Sequence, residues 1–323
     1  MTADNGEVDL HDLSPSVAQM RDDVLRGLGA PQKWISPMYL YDESGSHLFD
    51  RICELPEYYP TRTERAILRD NAAEISAALG TDLMLVEPGS GNGEKATLLL
   101  RSLHEPVAFI PVEISREHLW QSANAINEAF PDLEVLPVCA DFSQPFELPE
   151  PSRPAARAAV FFPGSTIGNF RPRTAVMLLA NFGGVAGDGG VLLVGVDLRK
   201  DPAVLERAYD DAAGVTAEFN LNLLLRLNRE LGADFDLDAF EHRAVWNDAD
   251  SRMEMHLVSK RAQKVQIGKE SVALREGEHI HTESSYKYTP DAFAALASEA
   301  GLRVVKVWMD EERLFSVQLL ERS

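Results

Sequence analysis

Cysteine is almost missing from this chain. Among 323 residues there are two, Cys53 and Cys139, each in an apolar context. They form no ligand-like spacing, which excludes a disulfide framework and a cysteine metal cluster and leaves two buried thiols. Basic residues are also scarce, 31 Lys and Arg against 51 Asp and Glu, for a net charge of −20. That sign argues against nucleic acids and anionic membranes as partners. No apolar run approaches the length of a bilayer span. The opening segment, MTADNGEVDLHDLS, is acidic and polar. No signal peptide is expected there, and residues 1–13 are expected to be disordered. Repeats and low-complexity tracts do not occur. What remains is a chain that is 45% apolar, with core enough for one large domain or two moderate ones.

The stretch that organises the rest is LMLVEPGSGNGEKATLLL, from Leu83 to Leu100. Leu83 to Val86 is an apolar run of buried-strand length. Gly89, Gly91 and Gly93 alternate through a turn that needs positive φ and close approach of a ligand. Ala96, Leu98, Leu99 and Leu100 then begin a helix whose free amides favour negative charge. Two motifs are absent. A pyrophosphate fingerprint, G-x-G-x-x-G, requires a glycine where Glu94 stands. No G-x-x-x-x-G-K-[ST] occurs either. A turn headed by an acid, E-x-G-x-G, suits a cationic nucleoside without phosphate, which favours S-adenosylmethionine over NAD. Glu94 itself has a plainer role open to it, as an acid at a helix start.

Around this unit the chain alternates strand and helix. Ser14–Gly29 reads as an amphipathic helix capped by Ser14, and Thr61–Leu79 as one long helix. Strands are predicted at 107–114, 133–140, 158–163 and 190–198, with helices at 116–130 and 174–185. This pattern implies a parallel α/β sheet whose ligands gather at the strands' carboxyl ends. Glu87, Glu113, Asp141 and Asn169 all fall there. Residues 201–232 are mostly helical and 234–242 irregular. The alternation in 252–287 predicts antiparallel strands. A helix at 289–301, capped by Thr289, precedes a final strand pair. The aromatics Tyr39, Tyr41, Phe49, Tyr58 and Tyr59 read mainly as a packed cluster, with buried hydroxyls that need partners. His279 and His281 read as surface residues.

Seven segments in one order carry a resemblance. They are LPEYYPTRTE (55–64), E-x-GSG-x-x-EK (87–95), DF (141–142), GSTIGN (164–169), RAYDDAAGVTAEFN (207–220), ADFDLDAFEH (233–242) and TESSYKY (282–288). Together they resemble the L-histidine Nα-methyltransferases of ergothioneine biosynthesis, from about Val24 onward. The resemblance implies an α/β fold: a Rossmann-like class I methyltransferase sheet with an added α+β substrate domain. The substrate domain takes residues 1–60 and 200–286, and the S-adenosyl-L-methionine domain takes 61–199 and 287–323.

For the cofactor it implies Gly89 beneath it, Lys95 near its carboxylate, Glu113 at the ribose, Asp141 and Phe142 at the adenine, and Gly164 behind the methionine. For the substrate it implies Tyr58, Asn169 and Tyr209 at the backbone end, Glu283 and Ser285 at the imidazole nitrogens, and Met255 near the ring. The chain differs from the family turn at Pro88, Asn92 and Gly93, and Glu113 stands where aspartate is usual.

The implied reaction is trimethylation of the α-amine of L-histidine, through its mono- and dimethylated forms, to hercynine. It is an in-line transfer to a neutral amine, with Tyr41 or a water it holds as the route for the proton, and with no metal. A cytoplasmic monomer is expected. The alternatives left open are an N-methyltransferase of another amino acid, such as a tryptophan derivative, and a nucleotide-binding protein without transfer activity. Without the resemblance, Glu283 reads as a solvated strand residue.

Overall fold

The computed structural model describes residues 11–13, 16–144 and 147–323. In chain order, β1 (His11–Leu13), α1 (Val17–Leu28), β2 (Lys33–Trp34), α2 (Glu43–Glu54), α3 (Tyr59–Asp70) and α4 (Ala72–Leu79) come first. The alternating region follows: β3 (Leu83–Pro88), α5 (Glu94–Leu100), β4 (Ala108–Glu113), α6 (Arg116–Ala129), β5 (Glu134–Val135), β6 (Val138–Ala140), β7 (Arg157–Phe162), α7 (Pro172–Ala186) and β8 (Val191–Asp197). Two helices, α8 (Pro202–Tyr209) and α9 (Val215–Leu231), lead to β9 (Phe240–Asn247), β10 (Arg252–Ser259), β11 (Gln263–Ile267), β12 (Glu270–Leu274) and β13 (His279–Tyr286). The chain closes with α10 (Pro290–Glu299), β14 (Leu302–Met309) and β15 (Phe315–Arg322).

The main sheet runs β1-β6-β4-β3-β7-β8-β15-β14, with β5 paired to β4. Its strands are parallel up to β8, and the last two are antiparallel. β4 and β8 are buried along their whole length, as expected for strands covered on both faces. Alternate residues feed two cores. Leu83, Leu85 and Phe109 join α3 to α6 on one face. Val86, Ile110 and Val112 join α7 and α10 on the other. A third core gathers residues 20–59 and 205–280 around the smaller sheet β2-β13-β10-β9.

Several elements differ from the sequence reading. His11–Leu13 is a strand paired with Val138–Ala140, not disordered chain. Ser14 and Pro15 lie outside the described residues. The helix is capped by Ser16, which forms a capping box with Gln19. The single helix expected over 61–79 is two, because Asn71 turns its amide back onto the Ile67 carbonyl at 2.8 Å. The 133–140 strand is also split at Leu136–Pro137. The helical stretch after Asp201 breaks at the left-handed Gly214 that caps α9. The segment expected to be irregular at 234–242 already enters β9 at Phe240.

Candidate active site

One cavity of about 260 Å³ opens at the carboxyl ends of β3, β4, β6 and β7 and reaches the third core. Twelve of the thirteen residues singled out from the sequence line it: Tyr41, Tyr58, Gly89, Lys95, Glu113, Asp141, Phe142, Gly164, Asn169, Tyr209, Glu283 and Ser285. Met255 does not. It stands opposite Glu283 on the neighbouring strand, 3% exposed within the apolar core.

On the sheet side, the glycine turn is built as its sequence requires. Gly89, Gly91 and Gly93 have φ of +71°, +54° and +72°, which side chains with a Cβ rarely adopt. The Gly89 amide donates to the Val112 carbonyl at 2.7 Å, tying the turn to β4. Glu113 closes it from the other side. One carboxylate oxygen accepts from Ile114 and Ser115, and the other from the Gly91 amide at 3.2 Å. A Cβ on Gly89 would stand 3.3 Å from the Phe142 ring, so the ring lies over the turn. Phe142 rests edge-on against Phe162 and Phe170. Asp141 accepts from the Ser143 amide, which fixes the loop that presents both.

Beside the turn, Lys95 lies 2.7 Å from Glu64. Glu64 is wholly buried and also accepts from the Gly164 amide with both oxygens at 2.9 Å. Burial works against the Lys95 charge, but the Glu64 carboxylate outweighs it and holds the ammonium above the usual lysine range. Glu87, at the end of β3, is buried. Burial pushes its carboxyl well above the carboxylate range, and its Oε2 has no hydrogen-bond partner among the described residues. Glu94 is exposed and paired with Arg65, the plainer role.

On the other side, Tyr41 packs edge-on against Phe49 and Phe219, and Tyr58 against Phe49 and Tyr209. Burial raises both phenols well above their ordinary value. Tyr41 therefore keeps its proton at neutral pH and is no standing base. Tyr209 donates to Ser285 Oγ at 2.8 Å. Glu283 is 7% exposed. Burial pushes its carboxyl up to about 7, against the pull of Lys287.

A bulge sets the direction of Glu283. The register shifts at Met255/His256, so that His256 pairs with His281 and Met255 with Glu283. Strict alternation would put His279, His281, Glu283 and Ser285 on one face. The extra residue, Thr282, divides them. His281 turns to His256 on the opposite face, their rings 5.1 Å apart. The two histidines expected at the surface, His279 and His281, are in fact half-buried there. Cys53, read as buried, is half-buried on the cavity wall.

Sequence reasoning missed Glu64, Asp197 and Lys287 as charged groups behind the cavity. Glu64 and Lys287 lie inside segments that carried the resemblance, but their partners come from distant strands. Among the described residues, no group of three or more His, Cys, Asp or Glu is arranged to hold a metal ion.

The strand order β6-β4-β3-β7-β8-β15-β14 with its reversed penultimate strand, and a glycine turn followed by carboxylates at successive strand ends, define a class I methyltransferase. The more particular assignment comes from its relatives. A family model described as "Histidine-specific methyltransferase, SAM-dependent" matches residues 20–322, and the chain belongs to that family. It is 44% identical to the histidine N-alpha-methyltransferase of Mycolicibacterium smegmatis, over 94% of this chain and 95% of that one. It is also 44% identical to the enzyme of that name from Mycobacterium tuberculosis, over 93% and 94% of the two chains. A 4-dimethylallyltryptophan N-methyltransferase, easF of Aspergillus fumigatus, is 27% identical over 89% of both chains. The cofactor is S-adenosylmethionine. The residues present fit it: a Cβ placed on Gly91 would meet nothing within 4 Å, so the turn is open there, and buried Glu87, with an unpaired carboxyl oxygen, borders a cavity that must take a cationic ligand.

Proposed function

We propose that this protein methylates the α-amine of L-histidine three times, yielding hercynine, as a step of ergothioneine biosynthesis. One observation carries the substrate end: the buried Glu283 carboxylate has no side-chain partner among the described residues and shares a cavity with the cofactor turn. Such a group is costly unless a ligand N–H meets it. A second reading, an indole amino acid, is disfavoured because that ring has one donor and no acceptor.

When bound, S-adenosylmethionine supplies an electrophilic methyl on sulfur. Gly89, Phe142 and Asp141 would hold its adenosine end, Glu113 its ribose, and Lys95 and Gly164 its amino-acid end. Tyr58, Asn169 and Tyr209 line the wall assigned to the histidine carboxylate and amine. The chain's main contribution is to position the amine, an effect that can reach ~7 kcal/mol or more. Tyr41, neutral and hydrogen-bonding, orients the amine or a water that takes its proton. The two-lobe division at 1–60 plus 200–286, and the setting of a cytoplasmic monomer, belong to the same proposal. The separate core built from residues 20–59 and 205–280 supports the division. No described helix is long and apolar enough to cross a membrane.

The test is incubation with S-adenosylmethionine and each amino acid in turn, read by mass. Histidine should gain one, two and three methyls. Methylation of another amine with histidine unmodified overturns the assignment.

A further inference from the structure

A second cavity, of about 550 Å³, adjoins the active site. Its walls come from α1, the start of α2 and α9 on one side, and from Ile114 and the first turn of α6 on the other. It shares Met38, Tyr41 and Ile114 with the active-site cavity, so the two meet at the tyrosine assigned to the amine. Val17, Glu43, Ser44, Arg116 and Glu117 are exposed along its rim and open it to solvent. The active-site cavity has a different mouth. Of the described residues that line it, only Asn92 and Glu94, at the glycine turn, are exposed. A bridge from α2 crosses there: Asp50 accepts from the Asn92 side-chain amide at 3.0 Å and lies 3.5 Å from His118 Nε2.

Two openings answer a problem of order. The residues assigned to the cofactor stand at the strand ends beside the turn, whereas Tyr209, Glu283 and Ser285 are buried on the other side. A cofactor on the turn therefore stands between its own mouth and the amino acid. With a single shared mouth, each spent sulfide and each amino acid would have to wait for the other. The second cavity is suited to a zwitterion. Ser115 is 6% exposed, and its Oγ has no hydrogen-bond partner among the described residues. It stands at the N-terminus of α6, a helix of 14 residues whose first amides favour an anion. A carboxylate would meet both groups. Glu43 and Glu117 on the rim suit the ammonium end, while Arg226 and Arg229 are already paired with Glu230 and Asp42. We propose that this cavity is the amino acid's own entrance. It receives the free zwitterion with its carboxylate at Ser115 and passes it beside Tyr41, while cofactor and sulfide use the mouth at the glycine turn. Met38, unbranched and adaptable, is the side chain that gives way at the junction. The sulfide can then be exchanged for fresh cofactor without the amino acid leaving first. The inference rests on the proposed seating of the cofactor on the turn and of histidine at Glu283.

The first test uses the wild type. Association of labelled L-histidine is timed with ligand-free enzyme and with enzyme saturated with S-adenosylhomocysteine. The rate constant with the sulfide bound should match or exceed that of the free enzyme. Uptake that falls to the pace of sulfide release overturns the separate entrance. Met38→Trp then narrows the junction. Histidine association and dissociation should both slow by about tenfold with Kd within about twofold, because a doorway changes the barrier and not the bound state. The S-adenosylhomocysteine rates should stay within about twofold. Unchanged histidine rates, or an equal slowing of both ligands, overturn the proposal. Should that variant not fold, Ser44→Trp on the exposed rim takes its place, with the same outcomes expected. Ser115→Ala should slow histidine association by about threefold and leave S-adenosylhomocysteine affinity unchanged. An unchanged association rate overturns the role of Ser115. No histidine uptake by any form, with S-adenosylhomocysteine still bound, overturns the histidine reading itself.

Discussion

Glu283 offers a measurement that needs no turnover. Burial raises its carboxyl from 4.5 to about 7. Folding therefore penalises the ionised form, and the sign follows. The group costs nothing below about pH 4, where it is protonated in both states. The cost grows as pH rises through the window between the two values and is complete above about pH 7. With one unit worth about 1.4 kcal/mol, the penalty is about 1 kcal/mol near pH 5.5 and about 3 kcal/mol near pH 8.5. Glu283→Gln cannot ionise and escapes it. Urea unfolding of the ligand-free wild type and variant at those two pH values should show the variant gaining about 2 kcal/mol on the wild type between them. A constant cost of the buried amide cancels in that difference, as do His256 and His281, which titrate in both proteins. The histidine KM of the variant should rise at the same time. A stability difference that stays flat across the two pH values refutes the reasoning.

Three further outcomes follow from the cavity walls. Lys95→Met leaves the wholly buried Glu64 carboxylate without its cation. It should cost about 3–5 kcal/mol in urea unfolding, and a loss below about 1 kcal/mol refutes the pairing. Gly195→Ala would set a Cβ 1.9 Å from Glu64 Oε1. By displacing that carboxylate from Gly164 and Lys95, it should weaken S-adenosylhomocysteine binding about tenfold by calorimetry, and unchanged affinity counts against the Glu64 anchor. Met255→Ala should lose about 2–5 kcal/mol of stability while the histidine KM moves by less than about threefold. A large KM rise with little stability loss would return Met255 to the substrate ring.

The parallel strands and the glycine turn were readable because doubly covered strands appear as unbroken apolar runs, and because the turn announces itself by composition. The reading failed where one residue changes the geometry. Asn71 breaks a helix by turning its side-chain amide onto the Ile67 carbonyl, and nothing in TRTERAILRDNAAEISAAL marks that choice. Thr282 breaks an alternation that grouped two histidines with Glu283. Twelve site residues converged, yet the charges that hold them did not show. Glu64, Asp197 and Lys287 look like solvated residues in one dimension and are fully or almost fully buried in three. Their partners lie about thirty to ninety positions away, beyond the reach of local pattern.

The additional residue in β13 also has an evolutionary side. It lets one strand carry two independent vocabularies, an imidazole cluster upstream and a ligand wall downstream, phased so that neither constrains the spelling of the other. They are joined by the Glu283 carbonyl, which meets the His281 ring at 2.9 Å through main-chain chemistry that survives a change of side chain. A lineage could therefore rewrite the ligand wall for a new amino acid while leaving the histidine face untouched.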